Sequence, residues 1–239
     1  MVVDVFIPCF IDQVFPETGM NMVKILESLE LGVNYNTEQT CCGQITFNSG
    51  YWEQTRCMGE KFIRDFPNNR PVVAPSASCV GMVRNYYPEM FHNSSLHNEY
   101  KQLKGNLFEF TDFLVNQLKI TRIGATFNAV VTYHDACAAL REYGIKSEPR
   151  ELLSHVRGLE LVEMKDSDVC CGFGGTFSVK NEPISSAMAE QKVKNALATG
   201  AEYIVSTEAS CLMNLDGYIK KHNLPIKTIH IIDILASGL

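Results

Sequence analysis

Two similar halves, each a mainly parallel β-sheet flanked by helices, are expected from three features of this 239-residue sequence. Short β-branched runs alternate with helix-period stripes. A pattern of cysteines occurs twice. Apolar residues make up 46% of the chain, enough for a buried core, while charged residues make up 20%. Strand–helix alternation implies parallel βαβ units and so an α/β fold of Rossmann-like halves. The length suits one large or two small domains.

Val2–Ile7 reads as the first strand, followed by a helical stripe of Met22, Ile25, Leu26 and Leu29 with Gly32 as its stop. Gly32–Tyr35 and Pro71–Val73 read as the next strands. Between them lies a stripe of Trp52, Thr55, Gly59, Phe62, Ile63 and Phe66. In the second half, Ala129–Tyr133, Leu159–Val162 and Tyr203–Val205 read as strands, and Ser147 with Pro149 as a helix start burying Leu152, Leu153 and Val156. Similar segments close each half, Phe108–Leu114 and Ile229–Leu235. The expected halves are 1–122 and 123–239, packed as one body because the join near Gly124 is short and apolar.

A formal charge of −6 argues against a nucleic-acid binder, and no basic run marks a membrane surface. Residues 1–10 lack a positive leader region and carry Asp4, so no secretory signal is expected. No apolar run reaches the ~20 residues of a membrane span. A cytoplasmic location is the expectation, and patterned cysteines there bind metal or do redox chemistry more often than they form bridges.

Eight of the nine cysteines form two quartets. Cys9, Cys41, Cys42 and Cys79 are separated by steps of 32, 1 and 37; Cys137, Cys170, Cys171 and Cys211 by 33, 1 and 40. Gly43 and Gly172 follow the vicinal pairs, and Ala-Ser precedes both Cys79 and Cys211. All eight fall after strands, where open α/β sheets place their ligand sites, so each quartet is expected to converge at its own strand-end mouth. Helix N-termini at Cys79 and Cys211 favour thiolate. Four gathered thiolates repel one another unless a cation holds them. Gly43, Gly172, Gly174 and Gly175 let backbone N–H groups approach an anion or a cluster sulfur. A phosphate-loop reading of 172–176 fails, because neither GxxxxGK[ST] nor a helix-opening GxGxxG is present. Cys57 has no counterpart and reads as a lone helical cysteine. Asp135 is placed to orient the loop carrying Cys137, and His134 reads as a buried, satisfied imidazole. Tyr86, Tyr87 and Phe91 read as packing, and the other histidines show no ligand spacing.

The repeated Cys, Cys-Cys-Gly, Cys pattern resembles the cysteine-rich CCG family, which includes the cysteine-rich subunit of heterodisulfide reductase and the iron–sulfur subunit of glycolate oxidase. Residues Cys170–Lys180, with Val156–Leu161 upstream, and Cys41–Gln44 with Asn48–Tyr51 in the first half, resemble its lactate-utilisation A branch most closely. That resemblance implies an iron–sulfur electron-transfer subunit of a cytoplasmic L-lactate-oxidising system. Its partners would be lactate-utilisation proteins B, a ferredoxin-type protein, and C. The wider family motif ends in Cys-x-x-Cys; here Ser76 and Glu208 stand where the first of those cysteines would be. Four thiols per half suit a [4Fe–4S] cluster, up to two per chain, with Ser76 and Glu208 as candidate oxygen ligands. Two other readings stay open: thiol–disulfide chemistry of the heterodisulfide type, and a zinc-stabilised scaffold for partner proteins.

Overall fold

A computed structural model describes residues 1–239. Eight strands form two four-stranded, all-parallel sheets of identical connectivity, ordered β2-β1-β3-β4 and β6-β5-β7-β8. The strands are β1 Val2–Val5, β2 Gly32–Tyr35, β3 Val72–Ala74, β4 Leu107–Glu109, β5 Thr126–Tyr133, β6 Arg157–Leu161, β7 Tyr203–Ser206 and β8 Lys227–His230. The α/β class and the two-half arrangement agree with the expectation from sequence.

Helices flank each sheet, and the central strands bury apolar side chains. Val3 and Val5 of β1 and Ile204 and Val205 of β7 are fully buried. Asp4 interrupts β1 and is tolerated because it is paired: Arg70 donates to it at 2.7 Å and Asn34 at 2.6 Å. The Pro16–Ser28 helix buries Met22, Ile25 and Leu26, each worth roughly 1.5–3 kcal/mol. Its stop differs from the expected one. The helix ends at Ser28, Glu30 takes the left-handed turn (φ 60°), and Gly32 begins β2 opposite Val2. The Trp52–Asp65 helix buries Thr55, Gly59, Phe62 and Ile63, but Trp52 at its first residue is 66% exposed and stacks on Phe47. One helical turn cannot place its first residue on the core when the chain enters from the solvent side.

A single apolar cluster runs through both halves, from Val3, Val5 and Met22 to Val131, Leu152 and Leu235. The closing helices cross over to build it. Ile231–Leu235 packs on the first half's Pro16–Ser28 helix, and Phe110–Asp112 packs on the second half's Ser147–Ser154 helix. Asp233 fixes the first crossing by accepting from Thr18 Oγ1 and Asn21 Nδ2, both at 2.9 Å. No helix is long and apolar enough to cross a membrane.

Candidate metal centres

Strand order reverses between β1 and β3, and between β5 and β7, which opens a crevice at their carboxyl ends. The cysteines come from the loops bordering it. Cys9 begins the Cys9–Val14 helix just after β1, Cys41 and Cys42 lie in the loop after β2, and Cys79 is the third residue of the Ala77–Asn85 helix after β3. In the second half, Cys137 precedes the π-helical turn Ala139–Tyr143, and Cys170 and Cys171 lie in the loop after β6. Cys211 is the third residue of the Ala209–Lys221 helix after β7.

Within each half neighbouring sulfurs perturb one another. Cys9 Sγ donates to Cys41 Sγ at 3.7 Å, and the neighbouring Cys41 and Cys79 both push the buried Cys42 thiol up. In the second half the Cys171 and Cys211 Sγ atoms lie within 4.8 Å of each other, and Cys170 pushes both Cys137 and Cys171 up. All are free thiols; two per quartet are buried (Cys42 and Cys79, Cys171 and Cys211) and two are half-buried.

The protons are shared unevenly. The neighbouring Cys42 and Cys9 thiols hold Cys41 at about 3, and the neighbouring Cys137 and Cys171 thiols hold Cys170 at about 2. Those neighbours are raised in turn: Cys9 and Cys42 are pushed up by Cys41, and Cys137 and Cys171 by Cys170, with burial adding to each. Cys211 is lowered to about 6 by Cys171 first, and by His134. Each quartet therefore keeps thiolate and thiol side by side, because further ionisation in a poorly hydrated pocket sets like charges against one another. A soft cation would release the remaining protons and satisfy the set.

Backbone donors complete the arrangement. Gly43 N–H reaches Cys41 Sγ at 3.3 Å and Gly172 N–H reaches Cys170 Sγ at 3.4 Å. Both glycines need positive φ, 82° and 90°. A Cβ on Gly172 would meet the Ser185 carbonyl oxygen at 2.7 Å, so that turn is closed to any side chain. Donors aimed at ligating sulfur are one lever on cluster potential. The donor set, its protonation and these N–H groups fit a thiolate-held iron–sulfur cluster in each half.

The quartets do not open at separate mouths. All eight cysteines line one cavity of about 160 Å³, together with Ser76, Glu208, Gly174 and Gly175. Phe10 and Phe173, one from each half, meet edge-to-face there with ring centroids 5.4 Å apart. Facing sheet ends at the seam bring the two sets together, which spacing alone did not reveal.

Ser76 and Glu208 are occupied with each other across the seam. Glu208, 2% exposed, accepts from Ser78 N–H at 2.6 Å, Ser78 Oγ at 2.9 Å and Ser76 Oγ at 3.3 Å. It thereby caps the other half's Ala77–Asn85 helix. Burial, then the Cys211 charge, pushes its carboxyl up to about 8 against the lowering hydrogen bonds from Ser78.

Asp135 orients the Cys137 loop as expected, through partners the sequence did not single out. Arg150 grips it with two 2.8 Å bonds and Ser167, just ahead of Cys170, donates at 2.9 Å. Tyr87 is buried packing, and its hydroxyl donates to the Cys42 carbonyl at 2.9 Å. Cys57 is exposed and outside the cavity. His134 corrects an expectation: it is fully buried, but neither ring nitrogen has a hydrogen-bond partner.

The cysteine-rich domain family (CCG) matches residues 3–84 and 131–216. The chain is 40% identical to lactate utilization protein A of Oceanobacillus iheyensis over 239 residues, covering 98% of this chain and 96% of that one. It is 40% identical to the protein of that name from an Exiguobacterium species, covering 99% and 98%. Identity to the Geobacillus kaustophilus protein of that name is 39%, covering 98% of each. Among solved structures, a hypothetical protein from Helicobacter pylori has the same fold (TM-score 0.66, 10% identity); the match covers 100% of this chain and 49% of that one.

Proposed function

This chain belongs to the cysteine-rich CCG domain family, and we propose that within it the chain is an iron–sulfur electron-transfer subunit of a cytoplasmic L-lactate-oxidising system. The observation that carries this reading is the pair of sulfur quartets, each with a glycine N–H on its first vicinal cysteine, gathered around one cavity. Full-length similarity to lactate utilization protein A relatives supports the lactate assignment.

Cys9, Cys41, Cys42 and Cys79 hold one cluster, and Cys137, Cys170, Cys171 and Cys211 the other, so that 1–122 and 123–239 act as paired cluster-binding halves. A bound cluster of this kind supplies one-electron transfer at a potential set by net charge, hydrogen bonds to sulfur and solvent exposure. The chain's residues set those conditions. Gly43 and Gly172 direct N–H groups at sulfur, Phe10 and Phe173 limit water, and the Asp135–Arg150–Ser167 linkage holds the Cys137 and Cys170 loops in register. With the oxygens of Ser76 and Glu208 bonded to each other's segments, the sulfurs rather than these oxygens hold the cluster, and four thiolates per half suit [4Fe–4S]. Lactate-utilisation proteins B and C are the proposed partners, with the first of them the electron acceptor or donor of ferredoxin type. A reducing compartment keeps the nine thiols free.

Protein purified without oxygen tests this. The expected result is a brown chain with about four iron and four sulfide per quartet and paramagnetic resonance on reduction. A colourless chain with stoichiometric zinc points to the scaffold reading instead. A metal-free chain that loses two thiols per half on oxidation points to dithiol chemistry.

A further inference from the structure

The two halves place different side chains at one backbone position. Phe6 and His134 each follow the first strand of their sheet and each precede the first cysteine of a quartet by three residues. Phe6 N–H donates to Val73 O at 2.9 Å and His134 N–H to Val205 O at 2.8 Å, so the main chain is held alike. Phe6 packs edge-on against Phe62, centroids 4.7 Å apart, within an aromatic cluster. His134 has no such company. A ring nitrogen of His134 and the Sγ atoms of Cys171 and Cys211 lie within 4.8 Å of one another.

That imidazole is fully buried, and neither nitrogen is hydrogen-bonded. The neighbouring carboxylate does not serve it, since Asp135 is bound by Arg150 and Ser167. Buried polar atoms in native folds almost always have a partner, and each exception calls for an explanation such as an absent ion. Neutral imidazole offers a lone pair well suited to iron or zinc. Cys171 and Cys211, the sulfurs beside it, are the two buried members of their quartet.

We infer that His134 is a nitrogen donor to the metal centre of the second quartet, which makes that centre a mixed Cys/His site, while the first, with Phe6 in the equivalent place, is all-thiolate. This rests on the proposal that the quartets hold iron. The two centres are then chemically distinct despite their matching cysteines.

The test uses the full chain, loaded with ferrous iron and sulfide without oxygen and reduced, with histidine at natural abundance or labelled with ¹⁵N. Pulsed paramagnetic resonance is expected to show a nitrogen coupling of direct-bond strength that changes with the isotope. The coupling is expected to vanish in His134→Phe while iron at the first quartet stays. The labelled wild-type measurement stands even where that variant fails to fold. Iron bound with no histidine coupling, or with one so weak that it reports only an N–H donating to sulfur, overturns the inference alone. A chain that binds no iron overturns the function proposal and this inference with it.

Discussion

Alanine at Gly172 and at Gly43 makes the same chemical change at equivalent positions, yet the structure assigns the two different costs. Both glycines sit in the left-handed region, φ 90° and 82°, where an L-residue costs roughly 1–2 kcal/mol. At Gly43 the added methyl meets Thr55 Cγ2 at 3.2 Å, a side-chain atom that can give by a few tenths of an ångström. At Gly172 it meets the Ser185 carbonyl oxygen at 2.7 Å and Met188 Cβ at 3.0 Å, both on the Glu182–Leu197 helix, whose backbone cannot yield locally. Overpacking of that kind adds roughly 1–3 kcal/mol. The expected totals are about 1–2 kcal/mol for Gly43→Ala and about 2–5 kcal/mol for Gly172→Ala. At roughly 2–4 °C per kcal/mol for a chain of this size, Gly172→Ala is expected to melt about 10 °C below wild type and Gly43→Ala about 4 °C below. Far-ultraviolet circular dichroism of the reduced, metal-free chain measures this. Iron content after loading is expected to fall more in Gly172→Ala, because moving Gly172 withdraws its N–H from Cys170 Sγ. Equal melting temperatures for the two variants would refute the argument from the Ser185 carbonyl.

Glu208 is expected to make stability depend on pH. Its carboxyl, at about 8 when folded against 4.5 ordinarily, keeps a proton that the unfolded chain releases, so its contribution is full below about pH 4.5 and is lost as pH rises towards 8. The difference between pH 5 and pH 8 is on the order of 3 kcal/mol, and a urea titration of Glu208→Gln is expected to show a shallower pH slope than wild type; an unchanged slope removes Glu208 as its source. Replacing Arg150 by Met strands Asp135, which is 2% exposed, and a loss of about 3–5 kcal/mol in denaturant stability is expected, with Arg150→Lys recovering part of it. Cys42→Ser and Cys171→Ser are each expected to halve the iron content; loss of all iron from either would show that the shared cavity holds one joint centre.

The fold class and the eight cysteines were legible in the sequence because both rest on local or periodic signals. Valine-rich runs have no other stable use in a chain of this composition than buried parallel strands, and the duplicated spacing pairs Cys9 with Cys137 and Cys79 with Cys211 without any coordinates. Elements defined by a single residue were less legible. Gly32 looks like a helix stop by composition, yet Glu30 makes the turn, since strand pairing with Val2 claims Gly32. Trp52 fits the helical period, but period does not say where the chain enters from solvent.

What only the tertiary structure decided is everything that depends on how the halves face each other. The crossing of the closing helices Phe110–Asp112 and Ile231–Leu235 brings two strand-end crevices onto one cavity. It also carries Glu208 to a helix of the opposite half. The physical reason is the range of the interactions. Strand and helix patterns are written in residues a few positions apart, whereas Glu208 and Ser78 meet across 130 residues of chain, and such a meeting follows from packing the whole core.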